Sequence, residues 1–573
     1  MATITKRTNK SGTYYYLVES ARINGKPRLV TQKYLGSAES IANAVACMSS
    51  GAPIPEPEFS TVFHFGAVTA LYNIAHRLGV CDIIDQYACK REQGLAVSSS
   101  ILLAAINRAI DPTSKNSFYE WFDKTVLFHT FPNANEKNLS SQGFWNNMNV
   151  LNEQKIHNIE DNIVKIIVEK YDIKTNFLLF DNTNFFTYLD TANPANLAQR
   201  GHSKEKRSDL KIVGLSMMVS ADHNIPLFHE VYPGNRNDAK QFFAVIDKLK
   251  NRYRSLGKGD CDVTLVFDKG NNNEDNIEQL ISPEPCEFHF VGSLRLNQCP
   301  ELCKVPKEKF EKLDGLQFEQ TTVYRKTKLV YGKKYTVVMT HNIELYKAQM
   351  EGVQANITKC TQALVELKER LRMRRIGMIT KGKNPTAASV EKNICSILSA
   401  EHMKDIFDWS IVDIEQDKTP GINFGLNKER FLQLQEEKLG RTVIFTDRHK
   451  WTNEQIVGAF RSQYHIEDAF KQMKDIKYLS FRPIYHFTDA HIRVHAFYCV
   501  LAMMLVSLLN KELEEMGYKM SINYMLRKFQ DAQQVISIFP SSGKKMVTKI
   551  SYSRLDGFVK EYVEKFNLLS YAS

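Results

Sequence analysis

The sequence predicts an α/β protein of several domains, and three observations support this. The chain has 573 residues, which is too long for one compact domain of about 100 to 200 residues. Hydrophobic residues make up 43% and charged residues 24%, the range of folded globular proteins, so wholesale disorder and fibrous repeats are excluded. Strand-like apolar runs alternate with helical periodicity in the middle of the chain. We therefore expect three or four folded units.

The first segment, residues 1–60, is predicted to be a basic β-hairpin and a linker. Two β-rich runs, TYYYLVESARI and KPRLVTQKYLG, flank Asn24-Gly25, a strong signal for a hairpin turn. Residues 1–40 carry seven basic side chains against two acidic ones. Such a local basic surface suits a polyanionic partner. The DNA-binding candidates here are Lys6, Arg7 and Lys10.

Residues 61–172 are predicted to form a helical N-terminal domain. Apolar residues recur with helical spacing, and polar or proline-containing breaks separate the helical stretches. The expected helices span 65–78, 97–110, 115–123 and 151–170. The domain is either a DNA-binding region or a plain scaffold, and the sequence leaves both open.

Residues 173–295 are predicted to form the first part of a catalytic core. Strand-like runs at 177–186, 210–221 and 226–234 are followed by helix, strand, helix and strand. The order β-β-β-α-β-α-β, with acidic residues closing the first and fourth strands, is that of an RNase H-like domain. Those acidic residues are Asp181 and Asp268.

Residues 296–450 are predicted to be an insertion that interrupts this core. The insertion has β-rich runs and a long heptad seam, which favours a helical hairpin with a return arm at 387–407. Residues 451–515 are expected to resume the core, and residues 516–573 to form a C-terminal helical region. The apolar seam consists of Tyr346, Met350, Val353, Ile357, Cys360, Leu364, Leu367 and Leu371.

A third acidic residue lies on the long helix predicted after residue 451. Thr452 and Gln455 have the spacing of a capping box that starts this helix. Glu467 shares a helix face with apolar residues, so we expect it to point inward. A buried carboxylate needs a cation or a metal. The alternative is a structural salt bridge with Lys471 or Lys474.

This helix resembles the Y-x2-R-x3-E-x6-K signature of the DDE transposases of bacterial insertion sequences. In this sequence the signature is Phe460-x2-Gln463-x3-Glu467-x6-Lys474. Phenylalanine for tyrosine removes a hydroxyl group, and glutamine for arginine removes a bidentate phosphate contact. The two changes concern DNA contacts and leave the glutamate in place.

Further segments resemble the same family in the same order, so the resemblance covers nearly the whole chain. Several ordered motifs are more specific than one acidic triad. The segments are YYYLVESARINGKPRLVTQKYLG, AAINRAIDPTSKNSFYEWF, GHSKEKRSDLKIVGLSMMVSADHNIPLFHEVYPGNRND and RPIYHFTDAHIRVHAFYCVLAMMLV.

The resemblance implies an enzyme that cleaves DNA at the inverted-repeat ends of its element and then joins the freed 3′-hydroxyl to target DNA. In-line displacement at phosphorus uses two divalent ions held by carboxylates. We expect Asp181, Asp268 and Glu467 to hold Mg²⁺, with Mn²⁺ as a substitute. The implied partners are double-stranded DNA, as terminal repeats and target, and a second copy of the chain. The alternatives are a nuclease that cuts without joining and a DNA-binding protein without catalysis.

Other residues are predicted to contact DNA. Lys474 lies on the face of Glu467 and is preferred over Lys269 for neutralising a phosphate beside the metals. Phe460 and Gln463 occupy the DNA-contact positions of the signature. A basic segment after the first core strand either follows the DNA backbone or is a solvated loop. Its candidates are Lys204, Lys206 and Arg207.

The remaining composition concerns partners and location. The net charge of +11 permits a polyanionic partner. The sequence contains no glycine-rich phosphate loop with its lysine, so we do not expect the protein to use ATP. The longest nearly apolar run, Phe497 to Leu509, is shorter than the roughly 20 residues of a membrane span, so it predicts a buried helix. The ten cysteines are scattered, which favours reduced thiols. No secretion signal is evident, so a cytoplasmic location is expected.

Overall fold

The structure is a computed structural model that describes residues 2–9, 12–23, 26–49, 56–88, 94–190, 195–201, 207, 209–256, 262–284, 286–412, 419–539 and 547–572. The chain forms two compact units. The first comprises residues 1–63 and 533–554, and the second comprises residues 64–532 and 555–573. The sequence-based domain boundaries inside the second unit stay predictions.

Within the described residues, the strands are, in chain order, β1 Ala2–Asn9, β2 Gly12–Ile23, β3 Lys26–Gly36, β4 Phe59–His64, β5 Phe177–Phe186, β6 Ile212–Ser220, β7 Pro226–Pro233, β8 Val263–Val266, β9 Phe288–Leu294, β10 Glu311–Lys312, β11 Thr321–Val330, β12 Lys333–Asn342, β13 Phe407–Val412, β14 Gly421–Leu426, β15 Arg441–Thr446, β16 Gln533–Phe539 and β17 Val547–Tyr552.

The α-helices of the same residues are α1 Ala38–Ser49, α2 Gly66–Arg77, α3 Val80–Tyr87, α4 Val97–Ile110, α5 Phe118–Asp123, α6 Ser141–Met148, α7 Glu153–Lys170, α8 Asp238–Ser255, α9 Glu274–Ile281, α10 Pro300–Cys303, α11 Ile343–Arg375, α12 Ala387–Ile397, α13 Met403–Ile406, α14 Lys428–Glu437, α15 Asn453–Arg461, α16 Tyr464–Lys474, α17 Asp489–Glu515, α18 Ile522–Gln530 and α19 Gly557–Lys565.

The first unit contains an antiparallel sheet in the order β1-β2-β3. The predicted hairpin is confirmed, because β2 and β3 pair down to Ile23 opposite Lys26. The turn residues Asn24 and Gly25 lie outside the described residues. In this unit β16 also pairs with β17, so the C-terminal region predicted as helical contains two strands.

The second unit is built on a mixed nine-stranded sheet in the order β10-β11-β12-β15-β9-β8-β5-β6-β7. Strands β5, β6 and β7 form an antiparallel meander. Strand β8 runs parallel to β5, and β9 runs parallel to β8. The observed order β5-β6-β7-α8-β8-α9-β9 agrees with the predicted one. The β-rich runs of the predicted insertion extend this sheet, since β12 pairs with β15 and β15 with β9.

The rest of the predicted insertion forms the expected helical hairpin. Helix α11 buries Val353, Cys360, Leu364, Leu367 and Leu371 of the heptad seam. These side chains share one apolar core with residues of the return arm, where α12 and α13 lie. A sequence spacing of three and four residues places the seam along one side of the helix.

Helices α2 to α7 lie between residues 66 and 170, and α2, α4, α5 and α7 lie where they were predicted. Helices α3 and α6 were not predicted. Helix α17 is the one described helix long and apolar enough to cross a membrane, and 94% of its most apolar window is buried inside the protein. The prediction of a buried helix is therefore confirmed.

The cysteines agree with the sequence in part. Six of the described cysteines are free, as expected of reduced thiols. Cys286, which precedes β9, is disulfide-bonded. The expectation of reduced thiols is therefore wrong for this residue, because scattered spacing in the sequence does not exclude a single close pair in space.

Candidate active site

The first two predicted carboxylates come from two neighbouring parallel strands, β5 and β8. Asp181 lies inside β5, so the prediction that it closes this strand is wrong, whereas Asp268 follows the end of β8. In β5 and β8, Leu179 is opposite Val266, and each aspartate follows two residues later. Because side chains alternate across a strand, Asp181 and Asp268 project from the same face of the sheet. Both carboxylates are half-buried. The pairing of β5 with β8 thus brings together two residues that are distant in the chain.

The third predicted carboxylate comes from a helix that packs against β5. The capping box of Thr452 and Gln455 is present at the start of α15. The predicted single helix is wrong, however, because α15 ends at Arg461 and α16 begins at Tyr464. Between them the Ser462 hydroxyl donates a hydrogen bond to the Ala459 carbonyl, a contact that bends helices.

A cavity of ≈ 250 Å³ joins these elements. The three predicted carboxylates line it together with Gln463 and Lys474. Phe460 and Lys269 do not line it. The preference for Lys474 over Lys269 as a phosphate contact stays a prediction. Glu467 is exposed rather than inward-pointing, because the cavity is open to solvent. The lining residues are Asp181, Thr183, Asp238, Asp268, Gly270, Asn271, Gln463, Glu467, Phe470, Lys471 and Lys474.

A fourth carboxylate, Asp238, lines the same cavity and was missed by sequence reasoning. It is the first residue of α8, after the cap residue Asn237. Its carboxylate lies beside Gly270, because a Cβ built on that glycine would be 3.7 Å from Oδ2. The Tyr232 hydroxyl is hydrogen-bonded to Asp238. The sequence signal for Asp238 is its position soon after a core strand. Acidic residues are also common in the first turn of any helix, so this signal is weak.

The tyrosine that contacts Asp238 is itself positioned by a glycine. Gly214 lies opposite Tyr232 in the pairing of β6 and β7, and a Cβ there would lie 2.3 Å from the Tyr232 ring. Burial, with the nearby charges of Asp238 and Asp181, raises the pKa of the Tyr232 hydroxyl well above its usual range. Tyr232 therefore stays protonated and acts as a donor.

Lysine side chains bring positive charge to the cavity. The Lys474 Nζ lies 5.8 Å from the centre of the Phe185 ring on β5, and its carbonyl accepts a hydrogen bond of 2.9 Å from Arg482. Lys471 forms an ion pair of 3.0 Å with Asp468. Four carboxylates thus face two lysines, which leaves an excess of negative charge that favours a bound cation.

The basic residues predicted to contact DNA elsewhere are only partly described. Lys10, Lys204 and Lys206 lie outside the described residues. Arg207 is exposed and forms an ion pair with Asp209 at 2.6 Å. In the first unit, Lys6 is exposed, and the Arg7 guanidinium lies 5.2 Å from the Tyr16 ring centre. Of the described residues of the second unit, Arg207 does not line the carboxylate cavity. The DNA contacts of all these residues stay predictions.

A different cluster has the tightest grouping of ligand atoms among the described residues. Glu153, His157 and Glu230 place them within 4.8 Å of one another. Lys248 lies 2.7 Å from Glu230, and Arg493 lies 3.0 Å from Glu153, so the cluster is already neutralised and is an ion-pair network. The three predicted carboxylates form no such group.

No protein-family model matches the sequence, and no curated protein does. A solved structure similar to this chain is the piggyBac transposase synaptic complex with hairpin DNA, at 10% identity and a TM-score of 0.35, over 81% of this chain and 78% of that chain.

Two Mos1 mariner structures are similar over less of the chain, both with a TM-score of 0.14. The Mos1 transposase paired-end complex with the left transposon end has 14% identity, over 35% of this chain and 59% of that chain. The paired-end complex with Mn has 13% identity, over 43% and 71%. At these TM-scores the likeness assigns no residue and no reaction to this chain.

Proposed function

We propose that this protein is a DDE transposase that cleaves DNA at the inverted-repeat ends of a bacterial insertion sequence and joins those ends to target DNA. One observation carries the proposal: Asp181, Asp268 and Glu467, which are far apart in the sequence, line one solvent-accessible cavity. The signature helix supplies the third carboxylate and Lys474 to the same cavity. The strand order of β5 to β9 supports an RNase H-like core.

The donor set of the cavity fits divalent metal ions. Mg²⁺ takes oxygen ligands and keeps several waters, and the cavity offers four carboxylates in ≈ 250 Å³. When bound, two such ions would activate the attacking oxygen and stabilise the leaving oxygen of an in-line displacement at phosphorus. Asp181, Asp268 and Glu467 would hold them, and Mn²⁺ would substitute for Mg²⁺.

The other side chains of the cavity position the substrate. The Lys474 ammonium would attract the phosphate next to the carboxylates, since a charged donor to phosphate forms a strong hydrogen bond. Gln463 precedes α16 and lines the same cavity, so its amide would donate a neutral hydrogen bond where the signature has arginine. Hydrogen-bond donors that are already in position orient the phosphate, and they do not have to move during the reaction.

The proposed partners follow from charge and reaction. The net charge of +11 favours binding to a DNA duplex, because basic side chains release the counterions of the DNA phosphates. Paired ends require two active sites, so we propose that the chain acts as a homodimer on DNA in the bacterial cytoplasm. A nuclease that cuts without joining and a DNA-binding protein without catalysis are the competing outcomes of the test.

The experiment incubates the purified full chain with labelled DNA of the element's end, target DNA and Mg²⁺. Cut ends and joined products are the expected result, and both should disappear with a chelator. Cutting without joining would identify a nuclease. Binding without either product at any Mg²⁺ or Mn²⁺ concentration would identify a DNA-binding protein and overturn the proposal.

A further inference from the structure

The helical hairpin of the predicted insertion ends in a tip, residues 370–386, that the active site does not use. The tip comprises the end of α11 and the connection to α12, which begins at Ala387. A surface of one charge sign suits a polyanionic partner. The tip has no acidic residue and six basic ones, which are Arg370, Arg372, Arg374, Arg375, Lys381 and Lys383.

One of these arginines holds the connection in a fixed shape. The Arg374 guanidinium donates hydrogen bonds to the carbonyls of Lys381 and Lys383, at 2.7 and 2.9 Å. Gly382, at φ 91°, takes the left-handed conformation that favours glycine. A Cβ built on Gly382 would lie 3.3 Å from the Arg374 guanidinium. The connection is therefore an ordered loop, and its two lysines have fixed backbone positions.

The other basic residues of the tip divide into two groups. Arg372 forms an ion pair of 2.9 Å with Glu369 on the same helix. Arg375 lies against β14, because a Cβ built on Gly421 would be 2.7 Å from its Nη2 atom. These two arginines therefore contact the hairpin itself. The basic residues with exposed side chains and no such contact are Arg370, Lys381 and Lys383.

Helix α11 ends in a turn that exposes apolar side chains between these cations. The amide of Gly377, at φ 79°, donates to the Arg374 carbonyl at 3.2 Å. The Met378 amide donates to the Met373 carbonyl at 2.9 Å. The two bonds form a Schellman motif, in which the residue at the position of Met378 often packs back against the helix. Here Met378 is 71% exposed and Ile376 is 54% exposed.

An exposed methionine flanked by cations suits the minor groove of a DNA duplex. Proteins that bend DNA from this groove insert apolar side chains, methionine and isoleucine among them, between base steps. Lysine and arginine side chains beside the insertion neutralise the adjacent phosphates. An anionic membrane surface fits the tip less well, because a protein on a membrane inserts the whole apolar face of an amphipathic helix. The tip exposes two apolar side chains on a turn.

The tip lies far from the carboxylate cavity within the second unit. Helix α11 has 33 residues, which span about 50 Å at 1.5 Å per residue. It begins at the end of β12, which lies four strands from β5 in the sheet. Asn342, the last residue of β12, is therefore roughly 20 to 25 Å from Asp181. The tip is at least on the order of 25 Å from Asp181, or about seven base pairs of DNA.

We propose that the hairpin tip binds the minor groove of a DNA duplex outside the carboxylate cavity and bends this duplex. Met378 inserts between two base pairs, and the ammonium groups of Lys381 and Lys383 contact the phosphates beside the insertion. Arg374 acts within the protein, where it fixes the loop that carries the two lysines. The identity of the polymer rests on the proposed function, whereas the charge and shape of the tip do not.

The first experiment measures how DNA binding depends on salt. The full chain is titrated into a fluorescein-labelled duplex of random sequence and about 40 base pairs, with a chelator present so that no cutting occurs. The double variant Lys381→Gln, Lys383→Gln should reduce the slope of log affinity against log salt by about 1.8, the value for two phosphate contacts. The control Lys359→Gln, Lys392→Gln removes two exposed charges from the bodies of α11 and α12. It should leave the slope unchanged.

The second experiment measures the bend by energy transfer between dyes at the two ends of the same duplex. The unsubstituted chain should increase the transfer. Met378→Ser should remove the part of this increase that a kink of about 20° to 90° produces, because serine is not an apolar wedge. Met378→Leu should restore it, since leucine also inserts between base steps. The control is Val365→Ser, because Val365 is 53% exposed on the body of α11, and it should keep the full increase.

The outcomes separate this inference from the proposed function. Equal salt slopes of the two double variants would overturn the inference, as would equal energy transfer with Met378→Ser and Val365→Ser. Tip variants that lose binding to phosphatidylglycerol vesicles and keep the DNA slope would overturn it in favour of a membrane surface. If terminal DNA is cut but the slopes are equal, the proposed function stands alone. If the tip variants change slope and bend but the unsubstituted protein does not cut, the inference stands alone.

Discussion

The Asn182 amide donates a hydrogen bond of 2.9 Å to the side-chain oxygen of Asn271. This bond links the residue after Asp181 to the turn after Asp268, and both amides are 1% exposed. The Ser216 hydroxyl donates to Asn182 Oδ1 at 2.7 Å. The relative position of the two aspartates is therefore fixed by a buried polar network behind them.

Replacing Asn182 should destabilise the protein and disturb the site. Asn182→Ala leaves Asn271 and Ser216 without this partner, so we expect the free energy of unfolding to fall by about 1 to 3 kcal/mol. Urea unfolding measures this. Asn158→Ala is the control, because Asn158 accepts its hydrogen bond near the surface and should change stability by less than about 0.5 kcal/mol. Equal effects of the two substitutions would contradict the role of the network.

The three predicted carboxylates should be required for cleavage and not for DNA binding. Asp181→Asn, Asp268→Asn and Glu467→Gln should each abolish cutting, because each removes a metal ligand while phosphate attraction is a separate contribution. Gel analysis of cut DNA and anisotropy of bound DNA measure the two effects. Asp468→Asn, next to Glu467 but outside the cavity, should keep cutting. A variant that still cuts would remove its residue from the site.

Three acidic residues selected from the sequence line one cavity in the structure, but the sequence did not predict the residues around them. Asp181 and Asp268 were identified because each belongs to an apolar strand-like run, and Glu467 because it lies on the signature helix. Asp238 was not predicted as a site residue, because acidic residues are common in the first turn of a helix. The break at Ser462 was missed because apolar residues keep helical spacing across it, and a hydroxyl that bonds to a carbonyl leaves no periodic signal.

Asp238 should contribute to metal binding. Asp238→Asn should weaken Mn²⁺ binding by about 10-fold or more, the usual effect of losing a group that supports a metal site. Calorimetric titration of the DNA-free protein measures the affinity without relying on activity. Asp275→Asn changes an acid in the first turn of α9 and should leave Mn²⁺ affinity unchanged. Equal affinity of both variants would exclude Asp238 from the site.

The tertiary pairing of the insertion also lay beyond sequence reasoning. The runs around β11 and β12 were identified as β-rich, but their partner β15 lies beyond the helical hairpin. Pairing between strands so far apart depends on which sheet edge is free after the core forms, and local patterns do not encode this. The heptad seam of α11 was predictable because its partners follow closely in the chain.

Acid should destabilise the protein through Glu160. Burial alone would raise the pKa of Glu160, but His229 and Arg252 outweigh it and lower that pKa to about 2. A lowered carboxyl pKa contributes stability that is present above the ordinary value near 4.5 and is lost as pH falls toward 2. At pH 5 the unsubstituted protein should have a higher free energy of unfolding than Glu160→Gln. This difference should therefore decrease by on the order of 3 kcal/mol between pH 5 and pH 2.

Urea unfolding at a series of pH values measures this gap. Glu120→Gln serves as the control, because Glu120 forms an exposed pair with Lys124 that is worth little in solvent. The free energies of unfolding of Glu120→Gln and of the unsubstituted protein should therefore stay close at every pH. A Glu160→Gln gap that does not change between pH 5 and pH 2 would show that the buried ion pairs do not set the acid stability.

Gln463 offers a direct test of the departure from the transposase signature. It is 7% exposed, lies between α15 and α16, and lines the carboxylate cavity. If a DNA phosphate enters beside it, Gln463→Arg should tighten binding of terminal DNA by about 1 to 3 kcal/mol, because a guanidinium forms charged hydrogen bonds to phosphate. The added cation would also be attracted by Glu467, whose amide bonds to the Gln463 carbonyl at 3.4 Å.

Anisotropy at two salt concentrations distinguishes the possibilities for this position. A phosphate contact predicts tighter binding with a steeper salt dependence for Gln463→Arg. Gln433→Arg adds the same charge on α14, away from the cavity, and should give a smaller effect. Unchanged affinity combined with a lower Tm of Gln463→Arg would mean that the side chain is packed inside the protein. In that case the glutamine would preserve the junction between α15 and α16 rather than contact DNA.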